Sequence, residues 1–194
     1  MNSTTETDNP TLIIIRGVPG SGKSYLATAL SQSIGADNVV VVDPDKIDQT
    51  SKEYIELSES LTVEGVDTKF HPYRFLRSKA YDAITAHKII IWNQAFNDFK
   101  GFEITVNRLK EFASGHDIQL PVLVVEVELS PDAAKKRIAK RVKKGGHDVS
   151  DAAFAGFVSQ YESFAGKGYE TIVVNGENDV SESVASVTKA LADK

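Results

Sequence analysis

The octet Gly17-Val18-Pro19-Gly20-Ser21-Gly22-Lys23-Ser24 follows directly on the apolar run Leu12–Ile15 and opens a helix-like stretch, Ser24–Ile34. Residues of these types at this spacing suit one task, the binding of a polyphosphate. Gly17, Pro19, Gly20, Ser21 and Gly22 form a loop whose main-chain N–H groups can turn inward, and the new helix adds its positive dipole end. Lys23 can reach the outer phosphates, the Ser24 hydroxyl can hold Mg²⁺, and Tyr25 follows at the edge of the loop as a further nucleotide contact. An ordinary glycine-rich turn is the plainer alternative. The flanking strand and helix favour a site for a nucleoside triphosphate, with ATP and Mg²⁺ as the expected cofactors.

Two further groups suit the same chemistry. Val42-Asp43-Pro44-Asp45-Lys46 ends the second apolar run. A carboxylate there faces the place of a third phosphate. Asp45 could therefore orient an incoming hydroxyl or accept its proton, while Asp43 could support Mg²⁺ or brace the turn. Asp and Pro are also common turn residues. Further on, the basic strip Lys135–Lys144 carries Arg137 and Arg141 four apart, on one helical face. Their guanidinium groups could neutralise charge on a transferring phosphoryl group, although most charge runs are solvated faces. Gly145-Gly146 reads as a hinge that would carry His147 over the site. Arg74 and Arg77, close to His71, could grip an acidic acceptor.

One expected residue is missing. An aspartate often ends a strand beside such a loop and helps to hold the metal's water shell. Here the third apolar run ends Ile91-Trp92-Asn93-Gln94, which is neutral throughout. Glu126 and Glu128 are possible substitutes, or simply residues at the sheet margin. The four histidines, at 71, 87, 116 and 147, have no metal-binding spacing, and the absence of cysteine excludes disulfides and thiolate chemistry.

The elements that must position these groups are legible as alternation. Leu12–Ile15, Val39–Val42, Ile89–Trp92, Pro121–Leu129 and Thr171–Val174 read as strands buried on both faces of a mainly parallel sheet. Stripes such as Leu26-Leu30-Ile34, Leu76-Ala80-Ala83-Ile84 and Val180-Val184-Val187-Leu191 read as helices covering both faces. The expected fold is α/β in three layers, a P-loop NTPase fold with a five-stranded, mainly parallel sheet, helices on both faces and a helical lid at about 135–151. A chain of 194 residues fits one such domain from residue 11 onward, after a polar, frayed tail at 1–10 that does not resemble a signal peptide. Ile47–His71, polar and weakly patterned, reads as a long loop walling the acceptor site. The net charge of −5 does not steer the whole chain toward nucleic acid, and no apolar run approaches the ~20 residues needed to cross a bilayer.

The phosphate loop, the Asp-Pro-Asp turn, and the Arg-x-x-x-Arg strip followed by Gly-Gly-His-Asp-Val resemble the zeta-toxin-like and polynucleotide-kinase-like branch of P-loop kinases. The likeness runs from about Leu12 to Phe164. It implies that Asp45 is the catalytic base, that Arg137 and Arg141 belong to a lid clamping ATP, and that Ile172–Asn178, with Asn175, contacts adenine. The resemblance and the motifs lead to one expectation: a cytoplasmic kinase moving the γ-phosphoryl group of ATP to a hydroxyl of a small molecule or nucleotide sugar. Catalysis would fall to Lys23, Asp45, Arg137 and Arg141, with Arg74, Arg77 and His147 meeting the acceptor. A polynucleotide 5′-hydroxyl kinase and a nucleotide-binding module without transfer are the alternatives. Nothing in the residues speaks for or against an antitoxin-type protein partner.

Overall fold

In the computed structural model, which describes residues 9–146 and 148–192, the five apolar runs form one sheet. Its strands are β1 (Leu12–Arg16), β2 (Val39–Val42), β3 (Ile89–Asn93), β4 (Val122–Glu128) and β5 (Glu170–Asn175). They lie in the order β2-β3-β1-β4-β5, and every pairing is parallel. β1 is central, with Ile14 opposite Trp92 on one side and Val124 on the other. Leu12, Ile13, Ile14 and Ile15 are fully enclosed, as an apolar strand with helices on both faces must be.

Helices α1 (Lys23–Ile34) and α7 (Val180–Ala192) cover one face, where Leu26, Leu30 and Val187 meet Ile13, Ile15 and Ile91. α3 (His71–Thr85) and α4 (Phe99–Ser114) cover the other, packing Leu76, Ile84, Phe102 and Leu109 on Ile14, Ile90 and Val124. The edge strands are less covered than their composition suggests. Val41 and Val173 are exposed, because these strands lie at the margins where the covering helices end. Pro10 and Thr11 are buried, and residues 1–8 of the expected tail lie outside the described residues.

Besides α4, two helices were not read from the sequence. The stretch read as a long loop contains α2 (Lys52–Val63), opened by Ser51, whose Oγ accepts the N–H of Tyr54 at 3.3 Å. Only Tyr54 and Leu61 are buried along it, too narrow a stripe to stand out from sequence. Its glutamates Glu53, Glu56 and Glu59 are exposed, and Glu53 pairs with Lys79 of α3. Similarly, α6 (Asp151–Gln160) follows α5 (Pro131–Val142), and the two share a small cluster in which Ala134, Ile138 and Phe154 enclose Val18 of the phosphate loop.

Glu126 has no metal role open to it. Arg16 at the end of β1 and Glu126 beside it on β4 form an ion pair in which both are fully buried. Arg16 Nη2 also donates to Phe96 O at 2.8 Å, and its guanidinium lies 3.5 Å from the centroid of Phe164 and 4.3 Å from that of Tyr161. Glu126 accepts the Phe164 N–H at 2.6 Å and the Ser163 hydroxyl at 2.7 Å. The pair thus ties the segments after β3 and α6 to the strand that feeds the loop. Removing one partner of such a pair leaves a buried charge uncompensated, at a cost of about 3–5 kcal/mol. Glu126→Gln keeps the shape and removes the charge, so its urea unfolding midpoint should fall by that scale of stability; an unchanged midpoint would contradict this account of the pair.

Candidate functional site

β1 delivers the chain at the carboxyl edge of the sheet, where the loop turns back into α1. Ser21 N–H donates to Val18 O at 3.1 Å, and the N–H groups of Tyr25 and Leu26 both donate to Gly22 O at 3.0 Å. The N–H groups of Gly20, Gly22, Lys23 and Ser24 find no acceptor among the described residues. Orphan donors at the start of a helix, reinforced by its dipole, constitute an anion site. Gly20 has φ +83, and a Cβ there would lie 2.7 Å from Ala134 O, so only glycine lets the loop pass this close to α5. Gly17 and Ser21 are buried behind the loop and do not face the cavity described below.

Lys23 Nζ donates to Val18 O at 3.0 Å, within the loop itself. Burial holds the ammonium down at about 8, against the raising influence of Asp45 and then Asp43, while Arg141 lowers it further. Those influences place two acids and an arginine around one lysine. Asp45 is exposed in the short turn Pro44–Lys46, and its N–H donates to Asp43 Oδ1 at 3.0 Å.

Asn93 stands where the missing carboxylate was expected. It is buried, and its Nδ2 donates to Ser24 Oγ at 3.0 Å and to Asp43 Oδ2 at 2.7 Å. The amide therefore spans the hydroxyl of the loop and the carboxylate of β2, and its Oδ1 is buried without a partner. A hydroxyl and a carboxylate held on either side of one amide suit Mg²⁺, which keeps most of its waters and takes few protein ligands. The unpartnered Oδ1 is an acceptor that a water in that shell would satisfy. Ser24 and Asp43 are the residues that would hold the ion. Among the described residues no group of three or more His, Cys, Asp or Glu could hold a metal alone.

Arg137 Nη1 donates to Ser21 O at 3.2 Å and Nη2 to Gly176 O at 2.7 Å. It joins α5 to the loop and to the turn after β5, which themselves approach closely: a Cβ on Gly176 would lie 2.5 Å from Ser21 O. With Ala134 and Ile138 packed on Gly20, α5 is a wall of the site. The glycine pair expected as a hinge ends this helix, with Gly145 at φ +79 and Gly146 N–H donating to Arg141 O at 3.1 Å. His147 lies outside the described residues.

These parts enclose a cavity of about 1460 Å³. Of the residues expected from sequence, Pro19, Gly20, Gly22, Lys23, Ser24, Asp43, Asp45, Arg74, Arg77, Arg137 and Arg141 line it. Tyr25 is 69 % exposed and faces away from it, and Asn175 turns its Oδ1 to the Glu177 N–H at 2.8 Å. The acidic stretch does not wall the cavity: from Ile47 to His71 only Phe70 reaches it. The missed wall is α4, whose Gly101, Thr105 and Arg108 recur at helical spacing behind the capping residue Asp98. That spacing was the available signal. The lining holds seven Lys and Arg against four Asp, a cationic site in an acidic chain.

Strand order, loop and surrounding acid and arginines define a kinase-type P-loop fold. The family model for the zeta toxins matches residues 1–184, and the chain belongs to that family. Among solved structures it resembles the PezAT toxin–antitoxin system of Streptococcus pneumoniae, at 14% identity over 92% of this chain and 73% of that one, with a TM-score of 0.61. A gluconokinase from Sinorhizobium meliloti 1021 matches at 18% identity over 94% and 96%, with a TM-score of 0.54. A deoxyadenosine kinase from M. mycoides with bound dATP matches at 18% over 93% and 98%, with a TM-score of 0.55. No curated protein sequence matches. Among the described residues no helix is long and apolar enough to cross a membrane.

Two measurements check this geometry. A neutral Lys23 cannot pair with phosphate, so binding of a triphosphate must raise its pKa from about 8. Above pH 8 binding should therefore take up a proton and weaken with rising pH; calorimetry at pH 9 in buffers of different ionisation enthalpy reads the uptake, and identical heats would contradict it. Asn93→Asp would set two carboxylates at hydrogen-bond distance in place of an amide–carboxylate bond. Its thermal midpoint should drop without Mg²⁺ and recover when Mg²⁺ and nucleotide are added, whereas a midpoint indifferent to both would contradict the bridge.

Proposed function

We propose that this chain transfers the γ-phosphoryl group of ATP to a hydroxyl of a small-molecule acceptor. The observation that carries the reading is the single cavity with unpartnered loop amides at one side and Asp45 exposed beside Lys23. The amides of Gly20, Gly22, Lys23 and Ser24 would hold the phosphates, with Lys23 at the outermost one. Mg²⁺ between Ser24 and Asp43 would supply charge neutralisation on the phosphate oxygens. Asp45 would accept the proton of the acceptor hydroxyl as its oxygen bonds to the γ-phosphorus and the bond to the β-phosphate oxygen breaks, giving ADP and a phosphorylated acceptor. Arg141, which forms no ion pair with a carboxylate among the described residues, would stabilise charge on the group in flight. Arg137, engaged by two carbonyls, would hold the loop and α5 in register and contact the nucleotide only after leaving one of them.

The segment about residues 135–151 would act as the cover of the nucleotide, through Arg141 and the chain after α5. Membership of the zeta toxin family and the likeness to small-molecule kinase folds support transfer to a small acceptor, including a nucleotide sugar. Incubation with γ-labelled ATP and a metabolite extract should yield a labelled small molecule. Asp45→Asn should lower that transfer by about 10²–10⁴-fold with ATP affinity retained, and Lys23→Ala should lose ATP affinity itself. Transfer undiminished in Asp45→Asn would remove the acid from the mechanism, and ATP affinity undiminished in Lys23→Ala would remove the phosphates from the loop.

A further inference from the structure

The turn between β3 and α4 holds a residue in a conformation that its side chain disfavours. Three non-glycine residues among those described have φ in the left-handed region, namely His87, Phe96 and Asp117. His87 and Asp117 follow the ends of α3 and α4, where a left-handed residue commonly closes a helix. Phe96, at φ +41, follows a strand instead, and for so bulky a side chain this backbone is strained. A glycine would adopt it freely, but the ring is needed. It is buried and meets Phe102 of α4 edge to face, 5.7 Å between centroids.

Arg16 holds that residue in place. Its Nε donates to Phe96 O at 3.3 Å and its Nη2 to the same oxygen at 2.8 Å, while Nη1 is taken by Glu126. The guanidinium is fully buried against the rings of Phe164 and Tyr161, and a planar fork so enclosed fixes direction as well as distance. The turn is tied to β1 a second time, where Gln94 N–H donates to Ile15 O at 3.2 Å. Beyond Phe96 the chain becomes cavity wall, for Asn97, Asp98 and Gly101 all line it. Asn97 Nδ2 donates to Gln160 Oε1 of α6 at 3.3 Å, and Asp98 Oδ1 accepts the Gly101 N–H at 2.7 Å, which caps α4. On its other side Arg16 is followed directly by Gly17, the first residue of the phosphate loop. One side chain thus joins the start of that loop to the wall at the start of α4.

We infer that Arg16 is a positioning residue for phosphoryl transfer. By holding Phe96 left-handed it sets Asn97, Asp98 and the start of α4 at a fixed place relative to the phosphate loop, and so aligns the acceptor with the γ-phosphate. The inference rests on the transfer reading above for the acceptor, whereas the constraint on the turn belongs to Arg16 and Phe96 alone. It asks more of Arg16 than the stability of its pair with Glu126, because a lysine could keep the charge but not the fork. Transfer between two bound reactants is sensitive to such placement, and a displacement of about 1 Å can cost about 10²-fold in rate.

Arg16→Lys separates the two roles, since its ammonium retains the charge opposite Glu126 and loses the fork on Phe96 O. With saturating γ-labelled ATP and a metabolite extract, labelling of the small molecule should fall by about tenfold to 10²-fold. The KM for ATP, and the affinity for a non-hydrolysable ATP analogue, should stay as in the unaltered chain. In the ¹⁵N-labelled variant the amide resonances of Asn97, Asp98 and Gly101 should shift. A role confined to stability would lower the thermal midpoint and leave transfer per folded molecule intact. That result, or those three resonances staying in place, overturns the inference. Should Arg16→Lys not fold, the double variant Arg16→Met with Glu126→Met removes both buried charges together and is read in the same two ways. If the unaltered chain labels nothing, the transfer reading falls by itself, and the resonances still decide whether Arg16 sets this wall.

Discussion

Four main-chain N–H groups in the loop and first turn of α1 have no acceptor among the described residues, and the rest of the site is arranged around that deficit. A buried or half-buried amide left unpaired costs free energy, and a fold normally finds it a partner. Here the glycines hold the loop open, and Gly20 presses against Ala134 so closely that no side chain could fill the space. The deficit is held in place from behind by the Arg16–Glu126 pair, which fixes the end of β1, and from the side by Arg137, which bonds the loop carbonyl of Ser21. A ligand with several acceptor oxygens and negative charge answers all four amides and the nearby lysine together.

The second constraint is electrostatic. Lys23 is desolvated enough to lose much of its basicity, although Asp45 and Asp43 both act to keep it charged. Asn93 stands where a second carboxylate would have faced Asp43, so a hydrogen bond takes the place of a like-charge contact. The neutral residue at the end of β3 therefore leaves the Ser24 hydroxyl and the Asp43 carboxylate bridged by one amide.

Much of this was legible in the sequence, for a physical reason. The strands and the covering helices α1, α3 and α7 bury broad apolar stripes, and the loop motif is a local pattern whose parts are neighbours in the chain. What escaped reading was non-local or weakly patterned. α2 buries only Tyr54 and Leu61, so its polar surface masked it as a loop. The Arg16–Glu126 pair joins residues 110 positions apart, and only strand pairing makes them adjacent. Arg108 looks like any surface residue of an amphipathic helix until the Tyr81–Phe112 stack sets it beside Arg77. The glycines after α5 have the permissiveness of a hinge, and the same property lets them end the helix, with Gly146 N–H bonded to Arg141 O.

The central claim is that a triphosphate is held by those four amides, and proton NMR of the ¹⁵N-labelled chain tests it most directly. On addition of a non-hydrolysable ATP analogue with Mg²⁺, the amide protons of Gly20, Gly22, Lys23 and Ser24 should move downfield together and become protected from exchange with solvent. If those four resonances stay in place while others in the chain respond, the nucleotide is bound elsewhere and the account of the site is wrong.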